Sequence, residues 1–363
     1  MRINQLSSLL SLNNWPPKHP SLRLIILILS VLLLFSVILG VSLGPVSIPI
    51  EEVWKIALYK IGLTERGNWS IANENIVWFI RFPRVLLALV VGGGLAVVGV
   101  TLQAIVRNPL ADSYILGISS GASVGAVLAI SSGIFTFAGS LAVQLGGFLG
   151  ALMSFTIVFT LANIGGRISP GRLILSGIGV GYVFSGITSF ITLTSSNKQL
   201  AGQILSWTLG SLARASWFDL TLPSLILLTV TIYLILQARN LNALVIGDET
   251  ATTLGINVGN FRRQLFILTA LVTGIMVAVS GTIGFIGLMI PHIVRLIVRS
   301  DHRRVLPISV FAGSIFLIWV DLIARTAFSP IELPVGVITS ILGGPFFLLM
   351  LLRVRREGKG GIL

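Results

Sequence analysis

The sequence predicts an all-α fold with ten membrane-spanning helices, on the basis of its composition, its long apolar runs and an internal repeat. Of the 363 residues, 54% are hydrophobic and 10% are charged, and the mean hydropathy is +0.98. Soluble domains of this length carry more charge. Several apolar runs reach the ~20 residues that a helix needs to cross a bilayer, where a helix satisfies its own backbone hydrogen bonds. We therefore expect a multi-pass membrane protein.

The chain divides into a polar N-terminal segment, a long apolar body and a short basic tail. These parts cover residues 1–23, 24–355 and 356–363. The first apolar run, 24–43, is too long for the core of a signal peptide, and no convincing small-residue cleavage site follows it. We therefore interpret this run as the first span and expect the N-terminal segment and the tail to lie in the cytoplasm.

The predicted spans alternate in direction and begin with an outward one. They cover residues 24–43, 85–106, 113–130, 141–162, 173–193, 220–236, 264–284, 285–298, 306–324 and 334–352. The third is rich in Gly and Ser, as close helix packing in lipid requires. Outside the membrane, residues 44–80 form a long segment with an amphipathic stretch at 51–59, and 203–211 predicts a short helix that does not span.

The distribution of basic residues fixes the orientation. With these spans, 17 of the 25 Lys and Arg residues fall on the inside and 8 fall outside. Cytoplasmic membrane loops collect Lys and Arg, so this assignment agrees with the rule that sets topology. The same bias explains the net charge of +13, which in a soluble protein would suggest a nucleic-acid partner. No nucleic-acid partner is expected here.

An internal repeat links the second and seventh spans. The pattern Leu-x-Ala-Leu-Val-x-Gly-x-x-x-Ala-Val-x-Gly begins at Leu86 and again at Leu268, and Pro109 and Pro291 follow at matching positions, with a constant offset of 182 residues. Because the second span runs inward and the seventh outward, the repeat is inverted. Inverted repeats are typical of transporters whose two halves rock against each other about the midplane.

A polar stretch between the sixth and seventh spans predicts a short cytoplasmic helix. Its residues of interest are Gly247, Asp248, Glu249, Ala251, Leu254 and Gly255. We expect Asp248 to cap the first N–H groups, Glu249 to suit the positive end of the helix dipole and Gly255 to end the helix in the left-handed conformation. A helix this short is marginal alone, so docking of a partner protein is one interpretation, and an ordinary capped loop helix is the other.

Several kinds of chemistry are excluded or disfavoured. The chain has no cysteine, its three histidines, His19, His292 and His302, are widely scattered, and no phosphate-binding Gly-rich loop exists. We therefore expect no enzymatic activity, no metal site and no bound cofactor. If nucleotide powers this protein, another chain must bind it. Asp321 is the one acid that we expect at membrane depth, which disfavours an ion-coupled secondary transporter.

Three outside cations oppose the charge bias. Arg81 and Arg84 precede the second span, and Arg325 ends the ninth. As solvated surface charges they would contribute little. As a basic patch they would orient an acidic protein partner. Asp321 lies one helical turn before Arg325 and is a candidate to pair with it.

Three hydroxyl residues in the fifth span share one helix face. Ser185, Ser189 and Thr192 recur at three- to four-residue spacing. Hydrogen bonding between helices is one explanation of this stripe, and lining of a central path is the other.

The chain resembles the FecCD-type permeases of ABC importers over most of residues 24–355. The segments that resemble the family are RFPR at 81–84, QA at 103–104, NPLA at 108–111, LGISSGA at 116–122, GFIGLMIPHIVR at 284–295 and ELPVG at 332–336. The polar outside segment 63–75 has no such match. The resemblance implies a type II importer permease with an inverted repeat, located in the bacterial inner membrane.

The resemblance also implies partners and site residues. It identifies 247–255 as a coupling helix that contacts an ATP-binding subunit, and it implies two such subunits, a second permease copy or paralogue and a periplasmic substrate-binding protein. It assigns Arg81, Arg84 and Arg325 to docking of the binding protein, and Ser185, Ser189 and Thr192 to the path. The most common cargo in the family is an Fe(III)-siderophore complex, and haem and cobalamin are the alternatives.

Overall fold

The computed structural model describes residues 21–114, 116–164, 170–195 and 198–358. Helices make up most of this part of the chain, and no strand occurs in it. Most of the polar N-terminal segment, most of the basic loop after the fourth span and the end of the tail lie outside the described residues.

Fifteen α-helices occur in the described ranges. They are α1 (Leu22–Ser42), α2 (Ile50–Lys60), α3 (Ile71–Asn75), α4 (Phe82–Val106), α5 (Ile118–Ser132), α6 (Ala142–Ala162), α7 (Pro170–Thr194), α8 (Lys198–Thr208), α9 (Phe218–Leu236), α10 (Ala238–Ile246), α11 (Asp248–Thr253), α12 (Val258–Ser280), α13 (Ile286–Val298), α14 (His302–Thr326) and α15 (Val335–Gly358).

The predicted all-α fold is confirmed, and ten of these helices fit the predicted spans. Seven helical segments in the described chain are long and apolar enough to cross a membrane, and three shorter apolar helices, α5, α13 and α15, complete the set. Helices α2, α3 and α8 lie between spans on the predicted outer side. Helices α10 and α11 lie between spans on the predicted inner side.

Two span boundaries differ from the prediction. The second span was expected to begin at residue 85, but helix starts at Ile71 and continues through a π-helical turn, Ile76–Arg81, into α4. Ser70 caps this start by accepting a hydrogen bond from the Asn73 N–H at 3.0 Å. The third span begins later than expected because the chain turns at Gly117, whose φ of +72° favours glycine.

Helix α4 forms the centre of the bundle and is buried along almost its whole length. Its glycines allow neighbouring backbones to approach closely. A Cβ atom at Gly92 would lie 2.3 Å from the carbonyl oxygen of Gly313 in α14, and one at Gly99 would lie 1.9 Å from that of Gly287 in α13. Small residues at such crossings permit the van der Waals contacts that hold membrane helices together.

The inverted repeat is visible in this packing. Gly92 of α4 packs on α14, the third helix of the second repeat. The equivalent Gly274 of α12 packs on Phe148 and Ala151 of α6, the third helix of the first repeat. Each repeated helix thus packs against the same element of the opposite half, as a pseudo-two-fold arrangement requires.

The outer segment 63–75 folds back onto α2. Glu74 is its centre: the carboxylate pairs with Lys60 at 2.5 Å and Arg66 at 3.6 Å, and it accepts a hydrogen bond from the indole N–H of Trp69 at 3.0 Å. Asn73 also donates to Glu52 of α2 at 2.7 Å. The polar residues of this segment therefore bind one another.

Candidate functional site

A buried ion cluster joins the outer ends of α4 and α14. The Arg84 guanidinium donates to the Asp321 carboxylate at 2.8 to 3.1 Å and also pairs with Glu332. Asp321 pairs in turn with Arg325 at 3.4 Å, and Arg325 donates to the Gly40 carbonyl of α1. The predicted pairing of Asp321 with Arg325 is confirmed, and Arg84 competes for the same carboxylate.

Arg81 lies beside this cluster and binds backbone carbonyls. Its guanidinium donates to the carbonyl oxygens of Val41 at 3.2 Å and Ser42 at 2.8 Å, and to that of Val46. These carbonyls belong to the C-terminal end of α1 and the turn after it. Arg81 therefore fastens the outer end of α1 to the second span.

The prediction that these three arginines are open to solvent is wrong. The exposed fractions are 2% for Arg81, 5% for Arg84 and 3% for Arg325. Each guanidinium finds acceptors inside the chain, although Arg81 binds only neutral carbonyls and the Nε of Arg325 makes no hydrogen bond. A docking role for them stays a prediction, and it would require a rearrangement that frees them.

The predicted cytoplasmic helix exists as α11, although Asp248 does not cap it. Asp248 is its first residue, and Gly247 precedes it without a side-chain cap. The carboxylate instead accepts hydrogen bonds from Arg262 at 2.7 and 2.9 Å and lies 3.4 Å from Arg107. Gly255 has the expected left-handed φ of +81°.

The outward face of α11 is available for contact. Ala251 is fully buried against the body of the protein, whereas Glu249 is exposed and Leu254 is 66% exposed. Ile246, at the end of α10, is also exposed. The buried Ala251 and the paired Asp248 thus hold an acidic and apolar tip that is exposed in this chain, and its docking role stays a prediction.

Helix α10 was not predicted, and it ties this tip to the bundle. Asn242 donates to Asp301 at 2.8 Å and accepts from the backbone N–H of His302 at 3.0 Å. Burial raises the pKa of Asp301, but the hydrogen bonds from Asn242 and the Arg303 N–H, with the charges of Arg303 and Arg304, hold it below its ordinary value. The inner end of α14 is therefore fixed to α10.

The three hydroxyl residues of α7 have different surroundings. Ser185 and Ser189 are exposed, and Ser185 lines a cavity of about 520 Å³ between α7 and the turn that precedes α5. Thr192 donates to the Thr188 carbonyl of its own helix at 2.7 Å. The three residues therefore do not share one environment, and their role on the path stays a prediction.

Sequence reasoning missed Asp112, which the structure buries between two cavities. It lines the cavity at α7 and a second one of about 370 Å³, together with Tyr114 and Phe347. Its carboxylate accepts from the Ser113 N–H at 2.8 Å. The sequence places Asp112 at a span boundary, where an acid looks solvated, and nothing local reveals its depth.

His292 packs edge-on against Phe346, with the ring centroids 5.8 Å apart. No group of three His, Cys, Asp or Glu side chains suitable for a metal ion occurs in the part of the chain that the structure describes.

A third and larger cavity opens on the predicted outer side. It measures about 720 Å³ and lies between the turn before α6, the segment between α8 and α9, the end of α12 and the segment before α15. Gln144, Arg214, Asp219 and Glu332 are its polar and charged residues other than serine. The two smaller cavities share Asp112, Tyr114 and Phe347, whereas the outer cavity has no lining residue in common with either.

The sequence is similar to permeases of known transport systems. The model of the FecCD transport family matches residues 32–353. The hemin transport system permease protein HmuU of Yersinia pestis is 41% identical over 307 residues, which cover 83% of this chain and 91% of that protein. The vitamin B12 import system permease protein BtuC of Klebsiella pneumoniae is 40% identical over 294 residues, which cover 80% and 87%.

A solved structure has the same architecture. It is an inward-facing conformation of a metal-chelate type ABC transporter, and it superposes with a TM-score of 0.78 at 27% sequence identity. The match covers 91% of this chain and 99% of that one. This chain therefore shares its overall fold with that ABC transporter.

Proposed function

This chain belongs to the FecCD transport family, and we propose that it forms part of the membrane path through which an ATP-driven importer moves a metal chelate. The chain is the permease subunit of an ABC importer in the inner membrane and is not itself an enzyme. Permeases of this kind work with ATP-binding subunits and a partner permease. The finer assignments of cargo, contacts and residues are our proposals.

The observation that carries the proposal is the match over almost the full length of a metal-chelate type ABC transporter. The cargo predicted from the sequence is an Fe(III)-siderophore complex. Haem and cobalamin are the competing cargoes, and the names of two relatives, which refer to hemin and vitamin B12, favour them. All three are bulky chelates that hold their own metal, so the permease needs no metal ligand.

We assign the exposed face of α11 to contact with an ATP-binding subunit. The acidic Glu249 and the apolar Leu254 form this face, while Asp248 ties the helix to Arg262 of α12. Movement of α11 would therefore pull on α12, one of the two repeated helices. ATP can drive rocking of the halves only if it binds the two conformations with different affinity.

On the outer side, a periplasmic binding protein is the proposed source of cargo. The outer cavity lies beside Glu332, whose side chain is 37% exposed and pairs with the buried Arg84. Docking at the arginines would therefore require an acidic group of the partner to replace Glu332. A second permease copy or paralogue would cover the exposed faces of α7 and α15 and complete the path.

A reconstitution experiment tests the proposed function. The permease, its partner permease where one exists and its ATP-binding subunits are placed in proteoliposomes with the binding protein, and ATP-dependent transport of ferric siderophores, haem and cobalamin is measured. Entry of one chelate class that requires ATP supports the proposal. Entry that persists without ATP but stops when the proton gradient is collapsed would support an ion-coupled transporter and refute it.

A further inference from the structure

The outer cavity has the size and shape of a binding site. Its volume of about 720 Å³ falls within the ~300–1,000 Å³ that is typical of small-molecule sites. Five serines line it, together with the rings of Trp207 and Phe218. The hydroxyls of Ser206, Ser216 and Ser280 already donate within the chain, so the wall offers mainly flat apolar faces and few free hydroxyl donors.

The two carboxylates on this wall already have partners. Glu332 pairs with Arg84, which neutralises its charge. Asp219 accepts hydrogen bonds from Gln144 at 2.8 Å and from the backbone N–H and hydroxyl of Ser216 at 2.9 and 2.7 Å. The charge of Glu332 is therefore balanced, whereas the neutral donors to Asp219 fix the position of its carboxylate and leave it one negative charge.

Arg214, unlike these two carboxylates, has no partner among the residues that the structure describes. It lines the cavity, its side chain is exposed, and it makes no hydrogen bond or ion pair with any residue that the structure describes. A guanidinium has five N–H donors in a planar fork that matches a carboxylate. Arg214 therefore offers the free charged donors of this cavity.

The backbone that presents Arg214 is held at both ends. Before it, Ser211 donates its N–H to the Ser280 carbonyl at 2.8 Å, and Gly210 accepts from the Val335 N–H at 2.9 Å. After it, the indole N–H of Trp217 donates to the Trp78 carbonyl at 2.8 Å. A fixed backbone lowers the cost of ordering the side chain when a ligand binds.

An exposed arginine is usually hydrated and contributes little, so a ligand role for Arg214 depends on its surroundings. Arg214 stands on the wall of a concave, partly apolar cavity, where a bound chelate would exclude water and strengthen a charge-assisted hydrogen bond. It is also an outside cation in a chain whose cations collect inside. Both facts favour a ligand over simple solvation.

We propose that the outer cavity is a receiving site for an anionic chelate, in which Arg214 binds a carboxylate of the cargo and Trp207 and Phe218 contact its apolar part. This inference rests on the proposed function and narrows its cargo to chelates with free carboxylates. A neutral chelate would leave Arg214 without a partner and would bind to the same cavity with lower affinity.

Paired cargoes test the inference in the reconstituted importer. Iron protoporphyrin, which has two carboxylates, is compared with its dimethyl ester, which has the same ring and none. The variants are Arg214→Gln, Arg214→Lys and Lys55→Gln, and the last removes one outer cation from α2, far from the cavity lining. Because every variant uses the same binding protein, the preference of that protein cancels when the acid-to-ester ratio of a variant is compared with that of the wild type.

We expect Arg214→Gln to lower the ratio of acid to ester transport by about tenfold, on the scale of one charge-assisted hydrogen bond, with Arg214→Lys intermediate and Lys55→Gln unchanged. An equal fall for both cargoes, or no change in the ratio, would overturn the inference. If the wild-type importer moves siderophores instead, the same comparison uses a carboxylate-bearing and a neutral ferric siderophore. A wild-type importer that moves no chelate refutes the proposed function itself.

Discussion

Asp321 is the residue on which the buried ion cluster depends. Its side chain is 1% exposed and lies between the guanidinium groups of Arg84 and Arg325. Replacement of Asp321 by Asn keeps the size of the side chain and removes its charge. Arg84 would retain Glu332, but Arg325 would lose its ion-pair partner and keep the Gly40 carbonyl.

The expected cost follows from this burial. Removal of one partner from a buried pair costs about 3–5 kcal/mol, because the remaining charge is uncompensated. We therefore expect Asp321→Asn to lower the free energy of unfolding by about 3 kcal/mol or more, since Glu332 compensates only Arg84. The measurement is reversible unfolding of the purified permease in mixed micelles as the fraction of SDS is raised.

Two further variants separate the effect of burial from that of charge. Lys55→Ala removes the pair with Glu51, whose side chains are 59% and 78% exposed, and should cost less than about 1 kcal/mol. The double variant Arg84→Met with Asp321→Leu removes both charges of the buried pair and should cost less than the sum of the two single changes. A loss below about 1 kcal/mol for Asp321→Asn would refute the reasoning, because it would place this site on the scale of an exposed pair.

Two other predictions concern packing and coupling. Gly99→Ala should prevent recovery of monodisperse protein, because its Cβ would lie 1.9 Å from the Gly287 carbonyl oxygen, whereas Gly186→Ala, with nothing within 4 Å, should be recovered normally. Equal recovery of both would contradict the close helix crossing. Leu254→Glu should leave folding intact but strongly reduce co-purification of the ATP-binding subunits. The matched change Ile61→Glu, at an exposed residue on the predicted outer side, should leave co-purification unchanged. An intact complex with Leu254→Glu would show that α11 does not contact the ATP-binding subunits.

The number of spans and the place of the short inner helix were predictable because both depend on local pattern. Apolar run length predicts a span, since the bilayer core has a fixed thickness. Polar residues between two such runs predict a segment outside the membrane, and Gly255 predicts a helix end through its backbone freedom. Helix α10 was missed because it follows α9 with almost no break.

The charged sites show the limit of local pattern. Arg84 looks like a surface charge in sequence, but its carboxylate partner Asp321 lies 237 residues away. Asp248 looks like a helix cap, but its carboxylate accepts hydrogen bonds from Arg262, 14 residues later in the chain. In both cases the competing interaction arises only when helices pack, and it outweighs the local preference.

The sequence by itself determined the all-α class, the membrane location, the apolar spans and the inverted repeat, because these follow from hydrophobic run length and a periodic pattern, and its charge bias predicts the orientation of the spans. Only the tertiary structure decided which charges are buried, which are paired and which face a cavity. Burial depends on contacts between helices that are distant in the chain. For this reason the three arginines predicted to face solvent are enclosed, and Arg214 is left with its donors free.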